Sequence, residues 1–555
     1  MKESKITPHS VWDEYSKGKT YNTNLGDKGL YEQVKLNERF YVGDQWEGLN
    51  APDLEKPVIN FFKRIVSYYN SQLISDDISF KIEPYSSTPK SKSSGEGIDT
   101  TAYENVFPQE IARIIERNKL KAKHRDVLRN AAVDGDGALY FRFDPNVHSG
   151  QDVKGEIVAS VIDNTNILFG NPYSSEVQTQ PYIIIVKREY TETLKSYAKE
   201  NGANDDAIES IKSDSESDFV NDDRVNNLTT VLLRLWRDPK TKTIHFGEYT
   251  KNAVIREETD TKLTLYPIAY MPWEKVKNCY HGRSPMTGLV PNQIAINQLV
   301  ALSIINEKNT AFPKILYDVS KIDKWTNKVG EAIGVNGNPN EAIASSFRAQ
   351  DMSYQVTALI EQLIALTKDT MGASDAALGN IRPDNTSAII AVQQAAALPL
   401  ELQRLSFYQF IEDYVRILID MMATYYGKRY VSKKNNAGAN IYREIDFSKY
   451  KGEAVTVNVE VGKAAYWNEL TQMQTLDNLF SNGILQDPIT YIESVPSGYM
   501  PNKEKIIESI KAQRTQQMSS MQGQLAQLGG EAPVSPESAP AQLTEQMKAP
   551  LFNNR

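Results

Sequence analysis

Three short runs bring residues of catalytic or ligand-binding type close together. Gly18-Lys19-Thr20 has the closing residues of a phosphate-binding loop, in which backbone amides and a lysine cradle a nucleotide. The upstream glycine such a loop requires is Asp13 here and no strand precedes it, so the run reads as an exposed N-terminal segment. Gly282-Arg283-Ser284-Pro285-Met286 begins like a nucleophile elbow. It ends in methionine, and Pro285 removes the amide that an oxyanion hole would use, which leaves Ser284 as a cap at the start of a helix. Asp134-Gly135-Asp136-Gly137 offers carboxylates to calcium. It lacks the third oxygen ligand and the distal glutamate of an EF-hand and reads as a tight turn into a strand. His9, His124, His148, His245 and His281 lie far apart, without the HExxH spacing that binds metal from one helical face, and each reads as a structural or surface residue. Cys279 precedes His281 by two residues, but as the chain's single cysteine it has no disulfide partner, no second thiolate for zinc and no visible third group to orient a nucleophile; a lone cysteine reads as a small buried hydrophobe. No cofactor and no metal are expected, and the lack of a catalytic signature points away from an enzyme.

The elements that would position any site come from an ordinary globular composition. Hydrophobic residues make up 40% and charged residues 24% of 555, which at about 150 residues per domain gives about three or four units. The formal net charge of −8, from 62 basic and 70 acidic side chains, argues against tight nonspecific gripping of duplex DNA. Acidic residues crowd into 201–223, which reads as an exposed loop. The single cysteine and the absence of an apolar run in MKESKITPHS lead to the expectation of a reducing, non-secreted, non-membrane protein.

Helical spacing over 57–73, opened by Pro57, puts Ile59, Phe62, Ile65, Val66 and Tyr69 on one face, and helical spacing returns over 110–133. Six strand-like runs follow at 138–143, 156–162, 182–190, 230–236, 243–249 and 253–257. A helix carrying Ile294, Leu299, Leu302 and Ile305 then runs from Pro291 to a stop at Pro313, and another spans 351–371 up to Gly372. Between them, 314–350 is a mixed, Gly- and Asn-punctuated insertion. A long helical pattern over 387–426 should kink at Pro399, AVTVNVEV at 454–461 alternates as a strand, and 466–527 is again helical, with breaks at 483–488 and 496–501. Residues 529–555 have the composition of a disordered tail. The face bearing Ile294, Leu299, Leu302 and Ile305 is too apolar for a lone helix in water and calls for neighbouring helices, some of them from adjacent subunits.

In this order the segments resemble the portal proteins of tailed bacteriophages. The likeness is carried by NERFYVGDQWEG (37–48) with PVINFFKRIV (57–66), AAVDGDGALYFRFDP (131–145), HGRSPMTGLVPNQIAINQL (281–299) leading to NTAFPKILYD, MGASDAALGNIRPDNTSAIIAVQQ (371–394) and WNELTQMQTLDNLFSNGIL (467–485). The resemblance implies an α+β portal fold, with mostly helical wing, stem and crown and short strands in wing and clip. Its parts would be a wing at 1–284, stem helices at 285–311 and 351–371 around a clip at 312–350, a tunnel loop at 372–386, further wing at 387–465, a crown at 466–528 and a tail at 529–555. It implies a ring of about twelve subunits at one capsid vertex, assembled in the bacterial cytoplasm and carried in the virion. Such a ring passes double-stranded DNA, meets the major capsid and scaffolding proteins, and docks terminase and then a head-tail adaptor. Lys321, Asp323, Lys324, Trp325 and Lys328 of the clip would meet those last partners, and Asn380, Arg382 and Asn385 of the tunnel loop would face DNA. A packaging ATPase is the enzymatic alternative, disfavoured by Asp13, and another capsid or tail structural protein is the nearer one.

Overall fold

The structure, a computed structural model, describes residues 6–52, 54–74, 78–84, 102–103, 106–151, 153–214, 227–312, 314–326, 328, 330, 332–341, 344–347, 354–373, 398–434, 440–452, 455–461, 465–485, 487–495, 506–507 and 509–513. Residues 1–462 and 463–555 form separate units.

Helix starts in the first unit are set by caps. Thr7 and Ser10 exchange side-chain and backbone hydrogen bonds of 3.2 and 3.0 Å, and Pro8 opens α1 (Pro8–Thr23). The run Gly18-Lys19-Thr20 is therefore helical, not an exposed segment. A Cβ on Gly18 would come 3.1 Å from Leu168, so this glycine lets the helix lie close on a strand. The helix at Pro57 also starts later than its spacing suggests. α2 (Leu30–Val42) ends at left-handed Gly43, and α3 (Phe61–Leu73) begins after Asn60, whose side chain accepts from the Lys63 amide. Phe62, Ile65, Val66 and Tyr69 are buried as their periodicity requires. β1 (Ile78–Pro84) follows. Helical spacing over 110–133 resolves into α4 (Phe107–Arg117) and α5 (Leu120–Asp134), broken where Lys119 adopts φ 51°.

Gly135, in the left-handed region at φ 110°, turns α5 directly into β2 (Asp136–Asp144), which is the turn its sequence suggested. β3 (Glu156–Ile162), β4 (Ile167–Phe169) and β5 (Tyr182–Tyr190) precede two helices, α6 (Thr191–Glu200) and α7 (Asp205–Ser210). The acidic stretch is thus not a plain exposed loop: 205–210 are helical, Ile211 is buried, Asp214 accepts from the Thr230 amide and pairs with Arg188, and 215–226 lie outside the described residues. β6 (Leu228–Arg237), β7 (Ile244–Tyr249), β8 (Val254–Asp260) and β9 (Ile268–Pro272) complete two antiparallel sheets, ordered β3-β2-β9 and β4-β5-β6-β7-β8. On the larger sheet, Val11, Trp12 and Tyr15 of α1 cover Leu168, Ile184 and Leu232.

Then come α8 (Val290–Ala311), the strand pair β10 (Lys314–Tyr317) and β11 (Ala344–Phe347), and α9 (Tyr354–Thr370). After a single turn of 3-10 helix at Leu398–Leu400, α10 (Glu401–Tyr425) buries Phe407, Phe410, Ile411, Tyr414, Leu418 and Met422 through the main core. Residues 387–397, the first part of the long helical pattern, lie outside the described residues. β12 (Lys428–Lys434) pairs with β13 (Asn440–Asp446), and β14 (Val455–Val461) returns to pair with β1. In the second unit, α11 (Ala465–Ser481) and α12 (Pro488–Ser494) meet through Phe480 and Tyr491, rings 4.8 Å apart. The tail at 529–555 lies outside the described residues. The chain is α+β.

His124 of α5 is enclosed by Phe407, Phe410 and Tyr414 of α10, at ring distances of 5.7, 6.4 and 5.5 Å, and burial pushes it down to about 4. The unfolded chain takes up this proton near the ordinary value of 6.5 and the folded chain does not, so stability present above 6.5 is lost as pH falls toward 4. Between pH 7 and 5 the urea midpoint of the wild type should fall relative to that of His124→Phe, a comparison that separates this group from buried carboxyls, such as Asp134, whose raised values act in the opposite direction.

Candidate functional site at the root of the long helix pair

Four of the sequence stretches that carry the portal likeness meet where α8 begins. Asp136, the first residue of β2, is wholly buried, and its Oδ2 accepts from the Tyr270 hydroxyl at 2.7 Å, from His281 Nδ1 at 2.9 Å and from the Gly282 amide at 2.9 Å. On the other side of the imidazole, Nε2 lies 3.1 Å from Asn22 Oδ1. Gly282 and Gly135 pack backbone to backbone, and a Cβ on Gly282 would sit 2.3 Å from the Gly135 carbonyl oxygen. Ser284 donates to the Ala132 carbonyl at 2.7 Å and accepts from the Met286 amide, so it caps a turn ahead of α8 and not the helix itself, which Leu289 precedes without a side-chain cap.

The helix itself is tied down by amides. Gln293 donates to the Ile59 carbonyl at 3.0 Å and to Asn297 Oδ1 at 2.9 Å, and Asn297 donates to Gln45 Oε1 at 2.7 Å. Asn37 bridges the Val133 carbonyl and Thr287. At the end of α9, the buried Tyr69 hydroxyl donates to the Met371 carbonyl at 2.5 Å. Residues 96 to 302 apart in sequence are thereby joined at one root. Sequence reading named Asp136 and His281 only to reject them as ligands, and it did not single out Gln45, Gln293 or Asn297. Asn and Gln inside an otherwise apolar helical run were the available signal, because a buried amide must find partners.

α8 and α9 run antiparallel. Asn292, early in α8, donates to Thr367, late in α9, while Ala311 at the far end lines a groove with Thr357 and Ile360. At 1.5 Å per residue α8 extends for about 33 Å. Its buried side carries Gln293 and Asn297 beside Val290, Ile296 and Ala301, whereas Ile294 is 39% and Leu302 54% exposed, with Leu299 and Ile305 half-buried. Both sides of this helix therefore mix polar and apolar residues, with Ile294 and Leu302 exposed beside Gln298, Glu307 and Lys308. α9 repeats the pattern with exposed Tyr354, Leu359 and Leu366, and Phe312 between the helices is 77% exposed.

Beyond the helix pair, Lys314–Tyr317 faces Ala344–Phe347 and an isolated bridge links Ile322 to Val335. Trp325 stacks on Tyr317 at 5.9 Å and is half-buried, so it packs within the insertion. Lys321 donates to the Glu341 carbonyl at 2.9 Å, while Asp323, Lys324 and Lys328 are exposed. Asn380, Arg382 and Asn385 lie outside the described residues.

A cavity of about 590 Å³ opens beside the root, with Leu30, Asp134, Cys279, His281, Thr287 and Ile294 among its walls. Cys279 is only partly buried, its Sγ 3.4 Å from the Tyr21 hydroxyl. Burial and the neighbouring Glu38 push Asp134 up to about 9, against the pull of Arg129, which itself pairs with Glu38. Among the described residues no group of three or more His, Cys, Asp or Glu side chains could hold a metal ion, and no helix is long and apolar enough to cross a membrane. No protein-family model matches the chain, and no curated protein matches it.

The root should tolerate nothing at Gly282. Gly282→Ala is expected to cost about 1–3 kcal/mol or more through backbone displacement, whereas Gly288→Ala, whose nearest new neighbour would be Arg283 at 3.7 Å, should be close to neutral. Urea denaturation of the two variants measures the difference.

Proposed function

We propose that this chain is the subunit of a phage portal ring, a channel for DNA at one capsid vertex that docks terminase and later a head-tail adaptor. The observation that supports it best is the exposure of Ile294 and Leu302 on α8. A helix that is anchored through the Gln293 and Asn297 amides on its inner side and turns Ile294 and Leu302 outward has a second apolar face to cover. An antiparallel partner with its own exposed Leu359 and Leu366 extends that face, and copies of the same chain arranged around an axis cover it without leaving an end. The insertion between the helices, with exposed Asp323, Lys324 and Lys328, is then the clip, available to a second protein at one mouth of the ring. Net acidity suits a conduit, since few phosphate contacts means little resistance to sliding.

Light scattering and negative-stain microscopy test the reading. Rings with a central hole are expected, of about twelve subunits. A clean monomer at micromolar concentration overturns the proposal, and tubes or sheets would assign the chain to another capsid or tail structure. Leu302→Glu should shift the population toward monomer while leaving the monomer's helical circular dichroism intact, because the side chain is exposed in one chain, and a fully covered leucine is worth about 1.5–3 kcal/mol.

Clip docking has its own test. Lys324→Glu combined with Lys328→Glu should spare ring formation and weaken terminase binding in a pull-down from purified components.

A further inference from the structure

The cavity of about 590 Å³ beside the root of α8 has the size of a small-molecule site, for which about 300–1,000 Å³ is usual. Its walls are the loop between α1 and α2, the start of α2, the end of α5, the segment that leads into α8 and the first turns of α8. Leu25, Leu30, Leu36, Val276, Val290 and Ile294 make its apolar part. Most polar side chains among them are already used. Gln33 donates to Asn37 at 2.9 Å, Thr287 lies 3.1 Å from the Asn37 amide, and Ser284 spans Ala132 and Met286. His281 lies between Asp136 and Asn22, and the Tyr21 hydroxyl donates to Cys279 Sγ. Asp134, pushed up to about 9 by burial and by Glu38, keeps its proton at pH 7 and adds no charge to the interior.

Charge is left only where the walls are exposed. Asp27, Lys28 and Arg283 are exposed, and none of the three is ion-paired among the described residues. The two cations stand on different walls, Lys28 in the α1–α2 loop and Arg283 on the segment leading into α8. Around Val276, exposed Lys275 and Lys277 outnumber exposed Glu274, so the positive excess continues along the edge. An inorganic anion would leave the apolar walls bare, and an uncharged hydrocarbon would leave the cations unused. An ammonium group would meet cations of its own sign. We propose that this cavity binds a small amphipathic anion, of the class of a medium-chain carboxylate, with its apolar chain against Leu30, Val290 and Ile294 and its anionic group between Lys28 and Arg283. The site is complete in one chain, so ligand binding and ring formation can fail separately.

Octanoate is the probe, and the readout is alkylation by iodoacetamide of Cys279, the chain's single cysteine and a part of the cavity wall. Octanoate should slow that alkylation in a saturable way, and calorimetry should return the same dissociation constant. Each CH2 removed from the probe should weaken binding about fourfold, and 1-octanol should bind about fivefold more weakly than octanoate. Lys28→Gln combined with Arg283→Gln should abolish that preference and leave the octanol affinity unchanged. Both side chains are exposed, and either single variant, with part of the loss, keeps the test usable should the double variant lose its fold. Absence of saturable protection would overturn the proposal. So would octanol binding as tightly as octanoate, which would leave a plain apolar cavity, or inorganic phosphate displacing octanoate, which would leave a surface anion site without use of the apolar walls.

Discussion

A carboxyl group removed from water must have its acceptor capacity used, or it costs more than the fold can spare. Asp136 meets that condition through one oxygen: a phenol, an imidazole and a backbone amide converge on Oδ2, while Oδ1 is buried without a hydrogen-bond partner. Two of those partners, His281 and Gly282, lie on the segment that leads into α8. Satisfying one buried group therefore fixes the path by which the chain leaves the sheets and enters its long helix. The close approach of Gly135 and Gly282 leaves no room for side chains at that crossing, and the three-stranded sheet, α5 and the root of α8 are held in one arrangement.

From that root outward, packing changes character. Near its start α8 spends its buried positions on Gln293 and Asn297, whose amides reach Ile59 and Gln45. Such bonds specify rotation of the helix about its axis more sharply than interchangeable aliphatic contacts do, because an amide turned away from its acceptor is left unsatisfied. With the rotation set, Val290, Ile296 and Ala301 are buried and Ile294 and Leu302 are left on the exposed side. The exposed leucine and isoleucine face is thus a consequence of the amide anchors, and it gives the assembly proposal its physical basis.

Charge is distributed with similar economy. The chain is acidic overall, yet six of its 62 basic residues lie between 113 and 125 at the α4–α5 break, where a left-handed lysine interrupts what would otherwise be one helix. Asn118 at the same break donates to the Ile157 carbonyl and accepts from the Ala159 amide, each at 2.9 Å, so its side chain closes the edge of β3. The turn serves the fold through Asn118 and presents cations through its neighbours.

Local pattern was sufficient for much of this. All six strand-like runs between 138 and 257 are strands, since alternation and β-branched content report a half-buried pleated surface directly. The two long helices and the insertion between them were legible for the same reason, and so was the turn at Gly135. Strands β1, β4, β9, β12 and β13 were not read: β4 and β9 span only three and five residues, and β1, β12 and β13 lie in two-stranded sheets. Pro57 misled because Asn60 offers the better cap. The roles of Asp136, His281, Gln293 and Asn297 were beyond any reading of spacing: their residue types permit ligation, catalysis or simple burial. Only the tertiary structure, by bringing positions 136, 281 and 22 within hydrogen-bonding distance and leaving Leu302 exposed, decided which of these residues tie the fold together and which apolar side chain lies at the surface.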